Sequence, residues 1–136
     1  MQPPFLFCIF KQTLYQKFMF NVGIIGGESF DDYEFCQEKC IKCLKKKADS
    51  GEPITIFSTG DRFVDQFSKR FHINVKNFYT DWKTYGKMAL KKRNYDLIED
   101  CHAFIFFDNG SSDISFLKKI ANDKELPIRV YKKNVI

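Results

Sequence analysis

From Phe20 onward, short apolar runs alternate with longer segments whose apolar residues recur at helical spacing. No other feature restricts the fold as strongly. The short runs are FNVGII, ITIF, INVKNF, AFIFF and IRVY, bounded by turn residues such as Gly26-Gly27, Ser58-Thr59-Gly60, Asp108-Asn109-Gly110 and Pro127. Between them run four helical stripes: Tyr33, Cys36, Cys40, Cys43 and Leu44; Val64, Phe67, Ser68 and Phe71; Leu90, Asn94, Leu97, Ile98 and Cys101; and Ile114, Leu117, Ile120 and Ala121. Asp31 and Asp32 stand at the positive end of the first helix dipole and lysines at its other end. This β-α-β-α-β-α-β-α-β pattern has no internal repeat. It calls for a mostly parallel five-stranded sheet with helices on both faces, a three-layer Rossmann-like α/β sandwich. Strands buried on both faces read as unbroken apolar runs, so the first and fourth strands are expected centrally. The third and fifth alternate and belong at the edges. Right-handed crossovers then give the order 3-2-1-4-5, with a ligand crevice outside the carboxyl ends of strands one and four, where the winding reverses.

The chain of 136 residues suits a single domain over residues 19–136, with residues 1–18 as an N-terminal appendage lacking acids and any clear period. Hydrophobic residues are 44% and charged residues 29%, which excludes a disordered chain. The longest apolar run near the start, FLFCIF, is far below the ~18 residues of a membrane span. It also lacks the flanks of a secretory signal. Five cysteines are an odd count in a domain large enough to fold without staples, so free thiols and a cytoplasmic location are expected. A net charge of +5 is compatible with an anionic small molecule but too diffuse to argue for nucleic acid.

Cys36, Cys40 and Cys43 match a cluster-binding spacing, yet four and three are also the steps of one helix face, so core packing is the expectation. His72 and His102 have no companion ligands at metal-binding spacing; neither a metal nor a cofactor is expected. Three loops end at the carboxyl edge. Gly26-Gly27 can bring backbone N–H groups to a phosphate or simply make a tight turn. Ser58, Thr59, Gly60 and Arg62 offer hydroxyls, a turn and a guanidinium at a helix start. Asp108 to Asp113 supplies an N-cap from Ser111 or Ser112. The stretch TDWKTYGKMALKKRN, Thr80 to Asn94, must pass the reversal point on its way from strand three to strand four. Its only tryptophan, Trp82, either overhangs the crevice or caps exposed core. Asn94 turns inward about 40° from Leu90. A buried amide must be hydrogen-bonded, so Asn94 is either a structural clamp on neighbouring loop backbone or a ligand contact.

These segments together resemble the YspA-like family of the SLOG superfamily, Rossmann-like domains related to the cytokinin-activating LOG proteins and to DprA. The family's Gly-Gly-Arg and aromatic after strand one are matched by Gly26, Gly27 and Phe30, and its Gly-Gly-x-Arg-Gly-x-Asp loop by Gly60, Arg62 and Asp65. Its most specific part, Asp-Trp…Tyr-Gly-Lys…Arg-Asn, is matched by Asp81, Trp82, Tyr85, Gly86, Lys87, Arg93 and Asn94. The likeness runs from about Asn21 to Tyr131. It departs where Glu28 replaces arginine, Thr59 and Phe63 replace glycines, and Ser111-Ser112-Asp113-Ile114 replaces Ser-x-Gly-Thr. Asp113 at a helix start should repel a phosphate: unit charges ~4 Å apart repel by about 4 kcal/mol at an effective dielectric of 20.

The resemblance implies a pocket that binds or senses a nucleotide or nucleotide derivative in a bacterial or phage setting, with Asp81, Trp82, Lys87, Arg93 and Asn94 lining or bracing it. Arg62, Lys87 and Arg93 are expected to contact anionic groups, Trp82 to stack on a base, and Asp81 to accept a sugar hydroxyl. The first rival is hydrolysis of a nucleotide N-glycosidic bond, as in LOG proteins. It ranks second because the Pro-Gly-Gly-x-Gly-Thr loop is absent. The other rival is a degenerate interaction domain without ligand. A homodimer is left open.

Overall fold

The computed structural model describes residues 19–26 and 32–132. The expected appendage over residues 1–18, the glycine at 27 and the departure at Glu28 lie outside the described residues. Strand β1 (Phe20–Gly26) leads to helix α1 (Tyr33–Asp49), β2 (Ile54–Ser58), α2 (Arg62–Phe71) and β3 (Asn74–Asn77). The crossing then forms a single-turn helix α3 (Trp82–Tyr85), a 3₁₀ turn (Gly86–Met88) and α4 (Ala89–Glu99). The chain finishes with β4 (Ala103–Asp108), α5 (Ser112–Asp123) and β5 (Ile128–Lys132).

The five strands pair in the order β3-β2-β1-β4-β5, every pair parallel, as the alternation of apolar runs predicts. The central strands are buried on both faces and the edge strands are partly exposed. Helices α1 and α2 cover one face, where Cys36, Cys40, Leu44, Val64 and Phe67 pack on Val22, Ile24, Ile56, Ile105 and Phe107. Helices α4 and α5 cover the other, where Leu97, Ile98, Ile114 and Leu117 pack on Ile25, Phe57, Phe104 and Phe106. Each such Val, Leu, Ile or Phe side chain contributes about 1.5–3 kcal/mol by leaving water.

The helical stripes differ from expectation in two places. Phe71 is 41% exposed, because α2 ends there and His72 turns away in the left-handed conformation at φ 55°. On α4 the buried face begins at Ala89, while Leu90 faces a surface groove. Helix α1 begins at Tyr33, where the Asp32 carboxylate accepts from the Phe35 N–H at 3.1 Å. Among the described residues no helix is long and apolar enough to cross a membrane.

Three of the described cysteines are core side chains. Burial pushes the Cys36 thiol up to about 12 and raises Cys40 and Cys101 further. Cys43 is only half-buried, with its sulfur 3.3 Å from the Tyr131 hydroxyl. Iodoacetamide at mildly alkaline pH is therefore expected to modify Cys43 first among these four. Peptide mapping after partial alkylation of the folded protein checks the order, and early labelling of Cys40 contradicts it.

Candidate functional site

Strands β1, β2 and β4 end side by side at Gly26, Ser58 and Asp108, so their loops meet at the reversal point. Among the described residues, several polar groups at this edge are already paired within the chain. The Gly26 N–H donates to Asp61 Oδ2 at 3.0 Å, and the Thr59 hydroxyl lies 3.4 Å from the same oxygen. The Gly60 N–H donates to the buried Ser58 hydroxyl at 3.1 Å. Asp108 accepts from the Gly110 N–H at 2.8 Å and from the Lys118 ammonium at 2.9 Å. The Ser111 N–H donates to Asn109, and the Ser111 hydroxyl caps α5 by accepting from Ile114. The N–H groups of Gly26, Gly60, Gly110 and Ser111 are thus held by internal acceptors.

Asp61 precedes α2, where an aspartate usually caps the helix; its carboxylate instead crosses to the end of β1. Phe63 fills the space above the same glycine. A Cβ at Gly26 would lie 2.5 Å from its ring, which packs edge-on against Phe107 with centroids 5.2 Å apart. At this glycine the close approach is made by an aromatic side chain, and the N–H is taken by Asp61.

The second half of the site comes from α4 and the start of α5. Arg93 donates from Nη2 to Asp113 Oδ2 at 2.8 Å, and from Nε and Nη2 to Asn94 Oδ1 at 3.1 and 2.8 Å. Asn94, 1% exposed, donates in turn from Nδ2 to Asp113 Oδ1 at 2.9 Å. Arginine, asparagine and aspartate form a closed ring of hydrogen bonds joining the two helices. Asn94 clamps the side chains of Arg93 and Asp113, not the neighbouring loop backbone that one of its two expected roles required. The expected repulsive charge at Asp113 is compensated by Arg93.

Burial pushes the Asp61 carboxyl above the ordinary carboxylate range, and the nearby Asp113 adds to the rise. The Gly26 N–H, the Thr59 hydroxyl and the Arg93 charge oppose it. The folded state therefore binds this proton more tightly than the unfolded chain does. Its contribution is most favourable below the ordinary range and declines as pH rises from that range through the raised value. Asp108 has the opposite sign: the Lys118 hydrogen bond lowers its carboxyl, so that stability is lost as pH falls below the ordinary range. Asp61→Asn, which keeps an oxygen for the Gly26 N–H, is expected to raise the melting temperature near neutral pH and to leave it unchanged in acid. Thermal melts of both proteins across pH check this, and an equal effect at every pH contradicts it.

Lys87, Leu90 and Lys91 from one side and Ser112, Asp113 and Phe116 from the other line a groove of about 340 Å³, with Asn94 at its base. Tyr95 packs edge-on against Phe116 and ties the two helices together. The structure therefore brings Lys87, Arg93 and Asn94 to one place, with Ser111 at the adjoining helix start. It puts Gly26, Ser58, Gly60 and Asp108 at the same edge but engages their polar groups internally. Arg62 is exposed on the first turn of α2, with no hydrogen bond or ion pair among the described residues. Asp81 caps α3 by accepting from the Thr84 N–H at 3.0 Å. Trp82 is 57% exposed, and no ring contact among the described residues holds its indole. The sequence marks Asp61 as an acid at the pocket, but an aspartate before a helix signals an N-cap and nothing local shows its carboxylate crossing to another strand.

Fold and edge together define a Rossmann-like α/β domain with a groove between its fourth and fifth helices. The chain matches no protein-family model and no curated protein.

Proposed function

We propose that the domain binds a nucleotide-derived ligand in the groove between α4 and α5, as a sensor or accessory module rather than a catalyst. The observation that carries this reading is the pairing of two exposed ammonium groups, Lys87 and Lys91, with the Asn94–Asp113 clamp in one groove. The lysines suit the anionic end of such a molecule. Asp113 is 30% exposed, and each of its oxygens keeps a lone pair for a sugar hydroxyl or a base amine. The likeness of the Asp81 to Asn94 stretch to the YspA-like family supports the same ligand class. Hydrolysis of an N-glycosidic bond needs a free carboxylate and an arginine at the anomeric carbon. Here Arg93 is committed to Asp113 and Asn94, which argues against that chemistry.

A second reading, a protein-interaction domain, is favoured by a different observation. Tyr79, Trp82, Tyr85 and Met88 are 72, 57, 44 and 55% exposed within a single crossing segment. Large exposed apolar side chains close together mark contact surfaces.

A thermal-shift panel of mononucleotides, dinucleotides, nucleotide sugars and cyclic nucleotides separates the two. A ligand at a hundred times its dissociation constant adds about 2.7 kcal/mol, roughly 10 °C for a domain of this size. The hit is expected to vanish in Lys87→Glu/Lys91→Glu, with the ligand's mass unchanged after incubation. Release of free base turns the reading to hydrolysis. No shift across the panel, with Trp82→Ala disrupting a self-association seen by sedimentation, turns it to the interaction domain.

A further inference from the structure

On the face covered by α4 and α5, Thr55 and Phe57 of β2 come together with the end of α4 near the amino edge of the sheet. A groove of about 550 Å³ occupies this corner, at the opposite end of the sheet from the site above. Its floor holds Thr55 and Phe57, with Lys76 on one side and Glu99, Asp100 and His102 on the other.

Three features are unusual for a mere surface depression. Thr55 is 9% exposed, and its hydroxyl is buried with no hydrogen-bond partner among the described residues. Buried hydroxyls are almost always paired. The Lys76 ammonium lies over the Phe57 and Phe78 rings, at 5.7 and 5.1 Å, and among the described residues no ion pair joins it to Glu99 or Asp100. His102 accepts from the Asn21 N–H through Nδ1 at 3.0 Å, so the neutral ring carries its proton on Nε2. No hydrogen bond among the described residues engages that nitrogen. The groove thus offers donors from Lys76, Thr55 and His102, and separate acceptors from two carboxylates.

We propose that this groove binds a small zwitterion of the free α-amino-acid class. The ligand carboxylate is received by Lys76, the Thr55 hydroxyl and the His102 Nε2–H, and its ammonium by Glu99 and Asp100. A simple anion meets the two carboxylates, and a simple cation meets Lys76, whereas a molecule carrying both charges satisfies the donors and the acceptors together. This inference does not depend on the nucleotide reading, since no residue is shared between the two grooves.

The test is a titration of the full chain, followed by amide and imidazole NMR, with each common free L-amino acid and with the N-acetyl and carboxamide forms of any that bind. At least one amino acid is expected to move the Thr55, Lys76, Asp100 and His102 resonances. Blocking either end weakens it about tenfold or more, the scale of a lost charge-assisted hydrogen bond. Lys76→Met weakens it similarly. Thr55→Val is expected to raise the melting temperature of the free protein, by removing an unpaired hydroxyl, while weakening the amino acid roughly fivefold. The proposal is overturned if no free amino acid moves these resonances, if the blocked forms bind equally well, or if Thr55→Val leaves binding unchanged.

Discussion

Arg93→Ala is expected to destabilise the fold by about 2–3 kcal/mol, because it removes the cation from a ring of hydrogen bonds that is largely shielded from water. Arg93 is 10% and Asp113 30% exposed, so the pair is screened less than a surface salt bridge, though more than a deeply buried one. The substitution strips two donors from Asn94 Oδ1 and one from Asp113 Oδ2. It also withdraws the positive charge that opposes the rise at Asp61. The Asp61 and Asp113 carboxylates then repel each other without the Arg93 charge to offset it. Removing the partner as well, in Arg93→Ala/Asp113→Ala, is expected to restore part of the loss, with a coupling of about 1–2 kcal/mol. Urea denaturation of the wild type, both single variants and the double variant measures that coupling. Strictly additive losses would refute the ring as an energetic unit. Arg93→Lys should recover little, since one ammonium cannot reproduce the guanidinium's contacts with both neighbours.

The second large effect is expected at Gly23, in the middle of β1. It pairs in register with Phe57 on one side and Phe104 on the other. A Cβ at this position would lie 2.2 Å from Phe104 Cε1 and 2.4 Å from Cδ1. Phe104 is 1% exposed and stacks on Phe106, with centroids 5.2 Å apart and planes 3° from parallel, so its ring has little room to retreat. Gly23→Ala is therefore expected to cost about 3 kcal/mol, the upper range for overpacking a core. Phe104→Leu alone should also destabilise, by opening a cavity. Combined, the two changes should compensate each other in part. Melting temperatures of the three variants check this; a Gly23→Ala protein as stable as the wild type would mean that the ring moves freely.

The layer architecture and strand order were legible because they depend on patterns that a single chain displays: continuous apolar runs for the central strands and alternation for β3 and β5. Asn94 could also be placed, since its helical phase turns it toward the core. Its partner could not. Asp113 lies 19 residues further on, and only the packing of α5 beside α4 brings the two side chains together. The glycines show the same limit from the other direction. Gly26 was open to a phosphate reading because glycine leaves space, and sequence does not show that Phe63 occupies it. Trp82 was expected either over the crevice or on exposed core; its indole remains 57% exposed, on a short helix fixed mainly by the Asp81 cap.

The pairing of β1 with β4 carries a consequence for how the protein is made. The contact between Asn21 and His102 that opens this pairing spans 81 residues. At about 5–20 residues per second, a ribosome needs roughly 4–16 s to deliver the second strand after the first. Throughout that interval the emerging β1 has at least one unpaired edge, and Ile25 lacks the Phe106 neighbour that later lies beside it in register. The nascent chain must therefore keep this apolar strand from other polypeptides until β4 has emerged.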